Sequence, residues 1–185
     1  MARKIAVLVG SLRAGSFTRR AAKALIALAP DALDCEIVEI RDLALYDQDL
    51  ETETPPAPWV GFRDAVRPKE GVLFVTPEYN RSVPGVLKNA IDVGSRPYGK
   101  SVWSKKPCAV VSVSPGALGA FGANHHLRQS FVFLDMPAMQ QPEAYVGGAA
   151  TLFDEQGGIT NEATGTFLSG LMASFAAWVE THHAH

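Results

Sequence analysis

A short loop rich in glycine, serine and arginine follows the first apolar segment of the chain. The apolar residues 5–9 lead into residues 10–16 (GSLRAGS), and an alanine-rich helical pattern comes next. The first N–H groups of a helix are unpaired and carry the positive end of its dipole, so they suit an anion. Hydroxyls at Ser11 and Ser16 and the guanidinium of Arg13 would add donors. The pattern favours a phosphate-binding loop over an ordinary strand-to-helix turn with a serine cap.

Other phosphate motifs do not fit the chain. The loop lacks both G-x-x-x-x-G-K-[ST] and G-x-G-x-x-G, so neither an ATP loop nor the usual dinucleotide fingerprint is present. A mononucleotide is then the remaining candidate for the ligand of this loop. Residues 35–41 have the Cys-x5-Arg spacing of tyrosine phosphatases. Two glutamates inside that segment would repel a phosphate dianion, however, and its alternation is typical of a strand. We therefore do not predict a phosphatase.

A second loop, residues 77–84, is bracketed by prolines and follows a continuously apolar segment. Because proline fixes φ, Pro77 and Pro84 stiffen the loop at both ends, and its N–H groups can be aimed in advance at a fixed acceptor. Taken singly, Glu78, Tyr79 and Asn80 would be a solvated acid, a packing aromatic and a turn residue. Their occurrence together with the first loop indicates a ligand site.

Short strand-like runs alternate with longer helical patterns, and these elements would position both loops. Strands are predicted at residues 4–9, 35–40, 71–76, 107–113 and, more weakly, 138–146. Helices are predicted at residues 17–28, near 60–66, at about 83–91, at 119–134 and from about 160 to 179. Five βα units with right-handed crossovers build a three-layer α/β sandwich, and the chain is too short for an eight-unit barrel.

The carboxyl ends of parallel strands are where such a sheet binds ligands. Three loops would meet there: residues 10–16, 77–84 and 112–122, which are also the loops richest in glycine, serine and proline. A chain of 185 residues suits one domain, so we expect residues 1–185 to form a single one.

Composition and charge exclude several classes of partner. The formal net charge of −2 gives no basic surface for nucleic acid. No apolar stretch approaches the roughly 20 residues of a membrane span, and the N-terminus lacks a signal-peptide pattern, so we expect a cytoplasmic protein. Cys35 and Cys108 have no Cys-x-x-Cys partner, which favours free buried thiols over a disulfide or metal site.

Three longer segments resemble the NADPH-dependent FMN reductase family, especially its quinone and chromate reductase branch. They are residues 76–92 (TPEYNRSVPGVLKNAID), residues 10–16 (GSLRAGS) and residues 112–129 (SVSPGALGAFGANHHLRQ). The resemblance implies a flavodoxin-like fold with a five-stranded parallel sheet of order 2-1-3-4-5. It also implies a bound FMN, with hydride passing from NADH or NADPH to flavin N5 and then two electrons to an acceptor by a ping-pong mechanism. Quinone, free flavin, azo dye, ferric chelate and chromate all stay open as acceptors.

The same resemblance implies which residues contact FMN, with no side chain as a catalytic group. The phosphate contacts fall on Ser11, Arg13, Ser16 and Thr18, and Thr18 stands where the family commonly has asparagine. Phe17 is also implied as a cofactor-binding residue. The ring contacts fall on Pro77, Glu78, Tyr79 and Asn80, and further contacts on Ser112, Ser114, Pro115 and Gly116.

A subunit contact or substrate rim is predicted beside the second loop. Tyrosine and tryptophan accompany arginines there, at Arg81, Arg96, Tyr98 and Trp103, and such residues are common in contacts. Relatives are commonly dimers or tetramers with flavin sites near the contact, so the resemblance implies a homodimer or homotetramer.

Two other functional classes stay open at this point: an FMN electron carrier for protein partners, and a cofactor-free binding domain. No metal site is predicted. His125 and His126 are adjacent and lack the i, i+4 spacing of a metal pair, so a solvated or interfacial place is expected. His182, His183 and His185 are expected on a frayed terminus.

Overall fold

Within residues 1–183, the part of the chain that the computed structural model describes, five parallel strands and five α-helices alternate. The strands are β1 Arg3–Val9, β2 Leu33–Ile37, β3 Gly71–Thr76, β4 Cys108–Val113 and β5 Ala144–Val146. The helices are α1 Phe17–Ala27, α2 Ala57–Val66, α3 Gly85–Gly94, α4 Phe121–Leu134 and α5 Glu162–His183. The sheet order β2-β1-β3-β4-β5 confirms the predicted flavodoxin-like topology.

The sheet is buried on both faces, which explains the continuous apolar runs of its central strands. Every residue of β3 and β4 is buried. Helices α1 and α5 cover one face with side chains such as Leu25 and Phe175. Helices α2, α3 and α4 cover the other with Trp59, Leu87 and Phe131. The three predicted layers are therefore confirmed.

Two predicted strands are shorter than their apolar patterns. β2 ends at Ile37, although Val38 and Ile40 are still buried. Val38 still donates its N–H to the Val7 carbonyl of β1 at 3.0 Å, and both Val38 and Ile40 are buried in the core cluster that includes α2. The last strand keeps only Ala144–Val146, and Ala138 forms a single bridge to Cys108. Pro142 between these pairings has no N–H for the sheet, which accounts for the interruption.

The described helices differ from the predicted ones mainly at their starts. α4 begins at Phe121 because Gly119 and Ala120 before it have positive φ, 56° and 60°. α5 includes His182 and His183 in its last turn, so the expectation of a frayed end is wrong for these two. His185 lies outside the described residues.

Both cysteines are free and neither is a reactive thiolate. Burial raises the pKa of the half-buried Cys35 thiol to about 11, with a further contribution from the charge of Asp34. Burial raises the pKa of Cys108 further still. Both thiols stay protonated near neutral pH, so they act as small apolar groups. No helix in residues 1–183 combines the length and apolar character that crossing a bilayer requires.

The topology brings the predicted loops to one edge. β1 connects outward to β2 while β3 leads in the opposite direction, so the loops after β1 and β3 diverge at the switch point of the sheet. The loop after β4 lies beside them, because β4 pairs with β3.

Candidate functional site

The phosphate loop, residues 10–16, ends in a capped helix start. Ser16 is the N-cap of α1, and its Oγ accepts a hydrogen bond from the N–H of Arg19 at 3.2 Å. The same oxygen lies 2.7 Å from Oγ1 of Thr18. Ser11, Ser16 and Thr18 are all buried, so three hydroxyls are held close to the helix start.

Two backbone donors at this helix start stay free for a ligand. In the described part of the chain, the N–H groups of Phe17 and Thr18 have no hydrogen-bond acceptor. The exposed Arg13 adds a guanidinium, and its own N–H donates to Oγ of Ser11 at 3.4 Å. Hydroxyls, helix amides and one cation, with no carboxylate inside the loop, are a donor set that fits the phosphate of a mononucleotide.

Neighbouring ion pairs and hydrogen bonds hold the phosphate loop in place. The Arg41 guanidinium donates to the carbonyl of Leu12 within the loop. Arg19 makes a two-point contact with Glu39 at 2.8 and 2.7 Å. That contact raises the pKa of Arg19 and lowers the pKa of Glu39. Arg19 is therefore neutralised, and Arg13 is the cation of the loop itself.

The second loop contains a tight hairpin, residues 79–82. The N–H of Tyr79 donates to the Ser82 carbonyl at 3.2 Å, and the N–H of Ser82 donates back at 3.0 Å. Asn80 and Arg81 between them both have positive φ, 51° and 65°, as a two-residue type I′ turn requires. The Tyr79 side chain is 53% exposed and stands at the carboxyl edge of the sheet, open to a ligand.

Glu78 does not present a free carboxylate. Its Oε2 accepts a hydrogen bond from the N–H of Ala123 in the first turn of α4, at 3.0 Å. Its Oε1 lies 3.7 Å from the Arg81 guanidinium. The Glu78 side chain, which was predicted to contact the flavin ring, is thus directed to α4. The backbone of Glu78 remains part of the second loop.

The third loop, predicted at residues 112–122, spans only residues 114–120 between β4 and α4. The Ser112 side chain is fully buried below this loop, where its hydroxyl donates to the Ala144 carbonyl and accepts from the Asn124 amide, each at 3.2 Å. The Ser112 hydroxyl is therefore bonded within the protein, and a flavin contact at Ser112 stays a prediction. Ser114 caps the loop by accepting the N–H of Gly116 at 3.0 Å. Pro115 and Gly116 are exposed at the edge, as a ligand contact requires.

An aromatic cluster next to the third loop was not predicted from the sequence. The Phe121 ring lies 4.2 Å from the His125 ring and 5.2 Å from the Tyr145 ring, centre to centre. His125 Nε2 lies 3.0 Å from the Tyr145 hydroxyl. Burial and then the nearby Glu143 raise the pKa of Tyr145 to about 12, so the phenol stays protonated. The i, i+4 spacing of Phe121 and His125 was the available signal, since it puts them on one helix face.

The predicted rim residues do not form one cluster. Arg81 is exposed beside Glu78, whereas Arg96 and Tyr98 follow the other end of α3, which runs back toward the opposite edge of the sheet. Trp103 is fully buried, and its Nε1 donates to the Ile91 carbonyl at 2.9 Å. Its predicted place in a rim or subunit contact is wrong, because the indole fills the core.

Comparison with known proteins agrees with this arrangement. The sequence model of the NADPH-dependent FMN reductase family matches residues 3–151. The chain is 62% identical to a quinone reductase of Pseudomonas putida over 180 residues, which cover 97% of this chain and 96% of that protein. It is 46% identical to a 2-hydroxy-1,4-benzoquinone reductase of a Burkholderia species over 179 residues, 97% of either chain.

A solved structure shows the same similarity in three dimensions. It is the flavoenzyme NAD(P)H:(acceptor) oxidoreductase FerB of Paracoccus denitrificans, with a TM-score of 0.92 and 39% sequence identity. The superposition covers 98% of this chain and 99% of that chain. Family match, sequence identity and fold therefore lead to one assignment: the chain belongs to the NADPH-dependent FMN reductase family and is an NAD(P)H-dependent oxidoreductase with FMN as its cofactor.

Proposed function

We propose that this protein is a quinone reductase, which uses NAD(P)H to reduce small quinones by two electrons. The observation that carries the proposal is the meeting of two features at one sheet edge: the phosphate-type donor set of residues 10–18 and the open hairpin at Tyr79. The names of the Pseudomonas putida and Burkholderia relatives support quinones as acceptors.

The loops divide the task of holding the cofactor. Ser11, Arg13, Ser16 and the α1 amides would hold the phosphate, and the backbone of residues 77–80 and 114–116 would face the ring system. When bound, FMN supplies the chemistry that accepts a hydride from the nicotinamide and passes two electrons to an acceptor. The protein contributes rigid donors that need no reorganisation during turnover.

A ping-pong mechanism belongs to the same proposal. Tyr79, Gly116 and Leu118 are exposed on the loops after β3 and β4, and we infer that donor and acceptor bind at these loops in turn. A site formed mainly by exposed residues would select acceptors weakly. We therefore include free flavin, azo dyes, ferric chelates and chromate as secondary acceptors.

The test begins with purified holoenzyme under nitrogen. Adding NADH or NADPH is expected to bleach the flavin absorbance directly, and 1,4-benzoquinone is expected to restore it. Initial rates at several fixed quinone concentrations should give parallel lines in double-reciprocal plots. Bleaching only after a partner reductase is added would favour an electron carrier instead. A protein that stays colourless with excess FMN would refute the flavin site altogether.

Two properties of the whole protein complete the proposal. We infer that the enzyme works in the cytoplasm, where NAD(P)H is available and the free thiols of Cys35 and Cys108 stay reduced. We also infer a homodimer or homotetramer.

A further inference from the structure

The hairpin at residues 79–82 is clamped by the first two turns of α4. Three contacts join them: the Glu78 carboxylate accepts the N–H of Ala123 at 3.0 Å, Ser82 Oγ lies 2.9 Å from Nδ1 of His126, and Gly122 lies directly against the hairpin backbone. These contacts come from residues 122–126 and reach both ends of the hairpin.

Gly122 leaves no room for a side chain at this contact. A Cβ atom there would lie 2.7 Å from the Arg81 carbonyl oxygen and 2.9 Å from Oε2 of Glu78. Real Cβ atoms do not approach a backbone oxygen this closely, so any larger residue would displace the hairpin or the helix. The close approach also keeps Glu78 within reach of the N–H of Ala123.

The hairpin needs such support because of its backbone conformation. Asn80 and Arg81 both occupy the left-handed region, which asparagine tolerates but which is unfavourable for arginine. Two hydrogen bonds between Tyr79 and Ser82 close the turn, but they do not fix its orientation relative to the sheet. The contacts with α4 supply that orientation.

We propose that Glu78 and Gly122 are positioning residues that lock the hairpin, and hence Tyr79, against α4 in the geometry that receives the flavin ring. The inference rests on the proposed flavin site for its functional consequence. Its structural part, the locking of the hairpin, concerns this chain alone. The Glu78 carboxylate therefore acts through the N–H of Ala123 and not through contact with substrate.

Amide hydrogen exchange of the FMN-free protein tests the lock without the cofactor. Glu78→Ala should speed exchange at Tyr79, Ser82 and Ala123 at least about tenfold, since the hydrogen bond to a charged acceptor is lost. The amide of Gly10, which donates to the Val75 carbonyl, should keep its rate. Glu78→Gln should stay close to wild type, because its amide oxygen still accepts the Ala123 N–H.

FMN titration of the same apo-variants tests the consequence for the site. Glu78→Ala and Gly122→Ala should each raise the FMN Kd about tenfold, the effect of one lost hydrogen bond of this kind. The double variant should also lie near tenfold, because both changes release one hairpin. Gly85→Ala is the matched control, since Gly85 also begins a helix at this edge and a Cβ atom added there would meet nothing within 4 Å.

The outcomes separate the two proposals. If wild-type protein binds no FMN, the flavin site fails and the exchange data alone decide the lock. If FMN binds but Glu78→Ala changes neither exchange nor Kd, the lock is refuted. A roughly hundredfold loss in the double variant would mean independent effects and would also refute it. Should Glu78→Ala not fold, exchange and FMN titration of Gly122→Ala give the same decision, with Gly85→Ala as the control.

Discussion

Arg13 is exposed and is the cation within the phosphate loop. Arg19, in the helix that follows, is already paired with Glu39. The backbone N–H of Arg13 donates to Oγ of Ser11, a buried hydroxyl of the same loop, at 3.4 Å. At this scale the expected affinity for a phosphate depends on individual donors, because each charge-assisted hydrogen bond to a phosphate oxygen adds to the binding free energy.

Replacing Arg13 should weaken FMN binding while leaving the fold intact. We expect Arg13→Ala to cost about 1.5–3 kcal/mol of binding free energy, the range for a hydrogen bond to a charged group. Fluorescence titration of the apo-protein with FMN measures this change. Arg67→Ala is the control, since Arg67 is exposed beyond α2, where it faces Asp64 at 3.9 Å. Equal affinity of Arg13→Ala and wild type would contradict the role of Arg13.

At the scale of elements, residues 38–56 form a long connection over the α2–α3 layer, which side chains hold in place. Asn89 of α3 accepts the N–H of Tyr46 at 2.8 Å and donates to the carbonyls of Leu43 and Ala44. Arg63 of α2 binds Glu51 through two contacts of 2.8 and 2.6 Å and donates to the Val93 carbonyl. This connection is therefore an ordered part of the fold.

Breaking the Arg63–Glu51 pair should be costly because both side chains are nearly buried, 6% and 12% exposed. We expect Glu51→Leu to lower the free energy of unfolding by about 3–5 kcal/mol, since it leaves a buried guanidinium unpaired. The double variant Glu51→Leu/Arg63→Met should recover part of that loss. Urea denaturation measures both, with Asp64→Asn as the exposed-pair control. A single variant as stable as wild type would show that the pair contributes nothing.

At the scale of the whole molecule, the first strand and the last helix are joined at the edge opposite the site. Arg3 binds Glu70 at 2.9 Å and Glu180 at 3.0 Å, and Glu70 also accepts the N–H of Lys4 at 2.9 Å. The Lys4 hydrogen bond and then Arg3 lower the pKa of the Glu70 carboxyl. Arg3 likewise lowers the pKa of Glu180.

Stability should therefore fall in acid, and Glu70 should account for part of the fall. A lowered folded-state pKa means that the unfolded chain binds more protons, so this contribution is present above the ordinary pKa and is lost as pH drops through the folded one. Glu70→Gln should be less stable than wild type at pH 7, and the difference should be smaller at pH 3. Urea midpoints at the two pH values measure this, with the exposed Glu53→Gln as control. An equal difference at both values would exclude the linkage.

Oligomerisation is a second property at this scale. Tyr98, Val132 and Phe133 are 85%, 84% and 73% exposed, and Phe133 shares a groove with Arg96 and Tyr98. We expect light scattering to give a multiple of the 19.8 kDa chain mass, and we expect Val132→Asp/Phe133→Asp to lower it. An unchanged mass in that variant would place the contact elsewhere, and a monomeric wild type would refute the assembly.

The order of elements and the place of the loops were predictable from the sequence because their signals are local. The apolar run of β3 matches its strand, Gly71–Thr76, and Ser16 caps α1 as its position before the helix indicates. Strand, crossover helix and parallel strand then allow few arrangements, and the three-layer sandwich followed. The strand order 2-1-3-4-5 came from the resemblance to the FMN reductase family.

Tertiary structure alone decided which side chains reach the site. Ser112 and Trp103 are chemically suited to ligands, yet a fully buried strand and an aperiodic segment carry no sign of which residues face outward. The contacts of Glu78 with Ala123, Gly122 with Arg81 and His125 with Tyr145 likewise join separate elements. Short-range patterns determine where a chain bends and which segments are buried, whereas contacts between distant segments depend on packing that forms only when all layers are in place.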